Sequence, residues 1–121
     1  MNKVQALYQF WVDASGLVAY DETSVPDDAV LPYMTYETVS DSFGNEVAVT
    51  ASLWYRSTSW QQITQKEMAI SDYIGRGGRM VAYDGGAFWI KKANPWAQRL
   101  SEASDDIVRR IVLNASIEFI D

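Results

Sequence analysis

An α+β domain is the fold class the sequence predicts: an antiparallel β-sheet with two α-helices packed on one face, plus a β-hairpin. Three observations predict it. In Glu46–Tyr55, Val47, Val49, Ala51, Leu53 and Tyr55 recur at every second position, which places all five on one sheet face that must be covered. After Ser57-Thr58-Ser59 the period changes, and Trp60, Ile63, Ile70 and Ile74 recur at helical spacing, so a covering helix follows its strand directly. Near the end, Ile111, Leu113, Ala115, Ile117 and Phe119 alternate against Asn114, Ser116 and Glu118, a long half-buried strand. At 121 residues the chain fits a single domain, residues 1–121, long enough to bury about two-thirds of the surface its unfolded form exposes.

Taken in order, Asn2 with Gln5 has the spacing of a capping box, and Val4, Leu7, Tyr8, Trp11 and Val12 form an apolar stripe that stops at Gly16. Phe10 falls off that stripe and reads as a rim contact. Leu17–Tyr20 is short and β-prone, a first edge strand. Asp21-Glu22-Thr23-Ser24-Val25-Pro26-Asp27-Asp28 reads as an acidic surface loop whose carboxylates are solvated charge, since no second cluster in the sequence completes a metal or acid/base site. Pro32–Ser40 alternates with the β-branched and aromatic residues of a strand, and Asp41-Ser42-Phe43-Gly44-Asn45 is a hairpin connection that makes it antiparallel to Glu46–Tyr55.

Ser59 and Gln62 have capping-box spacing at the start of the second helix, and Gly75 stands where a left-handed C-terminal cap belongs. Glu67 lies within the apolar stripe of that helix. It either reaches water at the rim, meets an arginine, or serves as a carboxylate in a pocket. Arg76-Gly77-Gly78-Arg79 is glycine-rich but lacks the Lys-Ser/Thr ending of a phosphate loop. Met80–Tyr83 and Ala87–Lys91 flank Asp84-Gly85-Gly86, a strong hairpin signal that places Phe88 and Ile90 opposite in facing to Trp89 and Lys91. Lys92–Ser104, with Asn94-Pro95-Trp96, lacks a period and reads as a long irregular loop. Asp105 and Asp106 precede Arg109 and Arg110 by four residues, the spacing of surface ion pairs.

Composition narrows the function. With no cysteine and no histidine, disulfides, thiolate chemistry, imidazole bases and the ordinary zinc sites are excluded. Sixteen acidic against ten basic residues give a net charge of -6, a field that repels duplex DNA and argues against sequence-specific nucleic-acid binding. No apolar run approaches the roughly 20 residues of a membrane span and no signal-peptide core opens the chain, which reads as a cytosolic product. Five Trp and seven Tyr exceed what so small a core needs, which points to contacts between chains.

A set of local phrases runs through this order: Leu7-Tyr8-Gln9-Phe10-Trp11 with Gly16 and Ala19-Tyr20, Val25-Pro26-Asp27-Asp28-Ala29 leading to Leu31-Pro32-Tyr33, and the turn Asp41–Asn45. Ser52-Leu53-Trp54-Tyr55, Tyr83–Ala87 with Trp89-Ile90-Lys91, Pro95–Arg99, and Asp105-Asp106 before Arg109-Arg110-Ile111 complete it. From Leu7 to Phe119 the chain resembles the tail terminator, or tail-completion, proteins of long non-contractile-tailed phages and of prophages in Gram-positive bacteria. The resemblance implies a non-enzymatic subunit without cofactor that assembles as a hexameric ring on the finished tail tube and ends its polymerisation. It implies the major tail tube protein and a head-neck protein as partners, and a path from host cytoplasm during assembly to the virion tail.

Loop position and aromatic chemistry nominate the contact residues: Phe43 and Asn45 at the hairpin tip, Trp96 and Arg99 in the Asn94–Arg99 segment, and Arg109 and Arg110 as further subunit contacts. Phe43 has a second reading, folded back onto its own hairpin. Two rival functions stand beside the terminator: a head-closure or neck adaptor of the same virion, and a small-molecule-binding module or carboxylate enzyme with a pocket between helix and sheet.

Overall fold

Helix α1 (Lys3–Ser15) starts where the sequence predicts, because Asn2 and Gln5 form both halves of the box. The Asn2 side chain accepts the Gln5 N–H at 2.9 Å and the Gln5 side chain accepts the Asn2 N–H at 3.0 Å. It ends at Gly16, whose φ of 67° lets its N–H close on the Val12 carbonyl at 2.8 Å. The computed structural model describes residues 1–39, 46–101 and 107–120. Among them seven further elements follow in the expected order: β1 (Ala19–Asp21), β2 (Tyr33–Tyr36), β3 (Val47–Arg56), α2 (Gln61–Ile74), β4 (Arg79–Tyr83), β5 (Gly86–Ser101) and β6 (Val108–Ile120).

The strands form one sheet in the order β1-β2-β3-β6-β5-β4. Every neighbouring pair is antiparallel except β1 with β2, which run parallel. The expectation of a purely antiparallel sheet is corrected there: Glu22–Pro32 is long enough to carry the chain back to the end where β1 began, so β2 enters in the same direction. The hairpin also belongs to this sheet, its two-residue Asp84-Gly85 turn joining Tyr83 to Gly86 with Gly85 at φ 93°. The Asp41–Asn45 connection lies outside the described residues, though the antiparallel β2/β3 pairing it was expected to make is present.

Both helices lie over one face. α2 sits on the central strands β3, β6 and β5, while α1 crosses from β4 to β1 and packs against α2. That crossing overturns the rim reading of Phe10. A helix wedged between a sheet and a second helix buries a wide face, here Ala6, Leu7, Phe10, Trp11 and Ala14, and leaves Val4 and Tyr8 exposed. Phe10 meets the rings of Trp11, Tyr73 and Phe88 at centroid distances of 4.9, 5.8 and 6.3 Å. Between the helices and the sheet, Met34, Leu53, Phe88, Ile90 and Leu113 from the strands and Ile70 from α2 are all at 0% exposure, and each such side chain contributes about 1.5–3 kcal/mol by leaving water.

Two local expectations are corrected. The capping box at Ser59 does not form: Trp60 occupies the N-cap position, and the Ser59 hydroxyl accepts the Gln61 N–H at 3.1 Å instead of the Gln62 one. Gly75 has a positive φ of 80° but ψ of 168°, so the chain leaves α2 extended instead of curling into a left-handed cap. The larger correction concerns Lys92–Ser104, where Lys92–Ser101 is strand. β5 pairs with β6 up to Lys92↔Ala115, shifts register around Asn94-Pro95 without leaving the strand, and resumes at Ala97↔Leu113. Proline cannot donate to the ladder, so the segment bulges out and then rejoins.

Candidate functional site

Register assigns every strand residue to a face. The helix side takes Met34 and Tyr36 from β2, Val49, Ala51, Leu53 and Tyr55 from β3, and Ile111, Leu113, Ala115 and Ile117 from β6. The other side, which no helix covers, takes Tyr20, Tyr33, Trp54 and Arg110 in a row across β1, β2, β3 and β6. Tyr20 meets Tyr33 edge-on at 5.5 Å, Tyr33 lies 6.5 Å from Trp54, and the Arg110 guanidinium stands 4.5 Å over the Trp54 ring. The row is pinned from below: Trp54 Nε1 donates to Thr35 Oγ1 at 3.0 Å and Arg110 Nε to Ser52 Oγ at 3.2 Å, with Thr35 and Ser52 both buried. Beside it, Glu22, Thr23, Val25, Tyr33, Thr35, Trp54 and Arg110 line an open concavity of about 390 Å³.

At the same end of the sheet, where β3 stops and β6 starts, a second cluster forms on the helix side. Trp60, just before α2, lies between two arginines, with Arg99 at 4.8 Å and Arg109 at 5.4 Å from its ring centroid. Arg99 also donates to Thr64 Oγ1 at 3.3 Å and Arg109 to the Thr58 carbonyl at 2.9 Å. Arg56 ends β3 opposite Val108, so four arginines converge on this edge of an otherwise acidic chain. Arginine over tryptophan keeps charge and planar donors fixed at the surface, the side-chain chemistry in which interface hot spots are richest.

The structure thus brings together three of the nominated contact residues, Arg99, Arg109 and Arg110, around two tryptophans that sequence reasoning had not nominated. Trp60 stood in the apolar stripe of α2 and Trp54 on the polar side of an alternating strand, where a tryptophan among Thr50, Ser52 and Arg56 was the available signal. Trp96 is half-buried against the core, its indole Nε1 without an acceptor among the described residues, while Asn94 and Pro95 beside it are exposed. Asn94 and Pro95 also border a concavity of about 330 Å³ with Thr50, Gln98 and Asn114. Phe43, Asn45, Asp105 and Asp106 lie outside the described residues.

Glu67 is half-buried on α2, makes no ion pair among the described residues and borders none of these concavities. No group of three or more carboxylates converges among the described residues. Asp21, at the end of β1, accepts from the Thr23 hydroxyl at 2.6 Å, the Thr23 N–H at 2.9 Å and the Thr38 hydroxyl, and these hydrogen bonds hold its carboxyl below the usual range. Burial, then the nearby Asp21 carboxylate and Tyr8, pushes the Tyr36 phenol up. Such an arrangement keeps a loop in place.

No protein-family model and no curated protein matches the chain. Among solved structures, it is similar to a chain of "Virion of native gene transfer agent (GTA) particle", at 18% identity and a TM-score of 0.63, over 97% of this chain and 93% of that one. The likeness shows a shared fold across almost the whole of both chains.

Proposed function

We propose that this chain is a structural subunit of a tailed virion that caps the tail tube as a ring, ends its polymerisation and offers the joining surface to the head. The observation that carries the reading is the end-to-end fold likeness to a chain of a gene transfer agent virion, reached independently of the sequence's resemblance to tail terminators. Supporting it, the arginine–tryptophan edge has the chemistry of a protein contact, and the net charge of -6 suits a ring through which DNA passes without adhering. In this reading Arg99 and Arg109 around Trp60, with Arg110 on Trp54, meet a neighbouring subunit or the major tail tube protein. Phe43, Asn45 and Trp96 are further contact candidates, and assembly proceeds in the host cytoplasm before the subunit joins the virion.

Deleting the coding sequence from the virus tests the proposal. Overlong, unterminated tails in electron micrographs are the expected result. Tails of normal length beside heads that leak DNA overturn it and assign the chain to the neck.

A further inference from the structure

The two outermost strands of the sheet differ in charge and agree in direction. β4 is entered through Arg76-Gly77-Gly78-Arg79, with both arginines exposed. The turn is preset: Trp89 Nε1 donates to the Gly77 carbonyl at 3.0 Å, and Arg79 lies 3.9 Å over the Tyr73 ring while donating to the Tyr73 carbonyl at 3.2 Å. β1, at the other edge, leads into Glu22, Asp27 and Asp28, all exposed. Because β1 and β2 are parallel, this acidic segment returns towards the end where β1 starts. Arg76, Glu22, Asp27 and Asp28 make no ion pair among the described residues.

Edge strands carry backbone donors and acceptors on their outer side and template pairing with another chain. Following the pairings across the sheet, β1 and β4 point the same way. Pairing β4 of one copy with β1 of the next is therefore parallel and head-to-tail, a contact that generates a ring when its rotation closes. It brings the strand starts together. In that pairing Met80, 53% exposed, stands opposite Val18, 57% exposed, both on the helix-free side, and the arginine turn comes to the end of the sheet towards which the Asp27-Asp28 segment returns. A two-fold contact of β4 with β4 must instead run antiparallel and leaves both the arginine turns and the acidic segments unmatched.

We infer that the partner of each sheet edge is a second copy of this chain, β4 pairing with β1 of the next subunit through the arginine turn and the Asp27-Asp28 segment. The inference rests on the ring reading above and specifies its interface. The chain contains no cysteine, so thiols introduced at Val18 and Met80 report the contact alone.

With a short bis-maleimide, the purified Val18→Cys/Met80→Cys protein gives a ladder of dimers, trimers and higher species on a denaturing gel. An equal mixture of the two single variants gives dimers, and Met80→Cys alone gives monomer. In the double-cysteine background, Arg76→Glu lowers the cross-linked fraction about tenfold at low salt, as does Asp27→Lys with Asp28→Lys, and mixing the two restores it. Dimers from Met80→Cys alone, or monomer from the double variant, overturn the contact. Rings in electron micrographs of a sample that yields no ladder overturn the contact and leave the ring standing. A ladder from a protein whose deletion leaves tail length unchanged keeps the contact and removes the capping role.

Discussion

The two faces of the sheet are built from the same strands and differ in almost every property. Under the helices the middle of the sheet is aliphatic or aromatic and buried, and Phe88 packs among Phe10, Tyr83 and Phe119 at centroid distances of 6.1 to 6.3 Å. On the other face stand Thr50, Ser52, Gln98, Asn114 and Ser116, with bulk in the row ending at Trp54 and Arg110 and, towards β4, in Trp89 and Met80. One face holds the fold together by excluding water; the other spends its few large side chains where a neighbour can touch them. Along the middle of the strands stability and contact are thus separable by parity, and only at the end where β3 stops do Arg99 and Arg109 bring contact chemistry to the helix side as well.

The sharpest way to break that separation is truncation on each side. Phe88→Ala is expected to cost about 3–5 kcal/mol in urea unfolding, because the hole lies where four rings meet. Gly78→Ala comes next. At φ 89°, a Cβ there falls 2.6 Å from Lys91 Cγ and Trp89 Nε1 and 2.7 Å from the Ile90 carbonyl oxygen, so about 2 kcal/mol or more is lost. Trp54→Ala, on the open side, should cost only about 1–2 kcal/mol through its hydrogen bond and its arginine, with a cooperative transition retained. A loss as large as that at Phe88 would mean the two faces are not separable.

Asn2→Ala removes the α1 cap for about 1 kcal/mol, read as a small shift in urea midpoint. The smallest effect concerns pH. Burial raises the Tyr55 phenol, so its contribution to stability is complete below the unfolded tyrosine value of about 10 and is lost as pH rises through the folded one. Tyr55→Phe should therefore flatten the alkaline limb of the stability profile and leave the neutral region little changed.

What was legible in the sequence was local. The Asn2–Gln5 box, the Asp84-Gly85 turn and the alternation of β3 and β6 each depend on residues within a few positions of one another, and the order of elements followed from them. Phe10 was not legible as core, because the width of the α1 face is set by α2 and the sheet together. Nor was the second half of β5, whose Asn94-Pro95-Trp96 carries an honest turn signal that β6 overrides by offering a ladder on the far side. The direction of β1 depended on where a loop returns, and the Trp60 cluster joins residues 39 and 49 positions apart in the chain, beyond the reach of any periodicity.

The irregularity in β5 also decides what the far end of the molecule displays. Between Lys92 and Ala97 this strand advances five residues while β6 retreats by two, from Ala115 to Leu113, so odd and even positions exchange sides across the break. Arg99 consequently points towards Trp60, and Leu100 towards solvent. Loss or gain of one residue there would turn that stretch over, taking the Arg99 guanidinium away from Trp60 and driving Leu100 inward. A single codon at this spot is thus enough to redraw both the edge and the layer that meets α2.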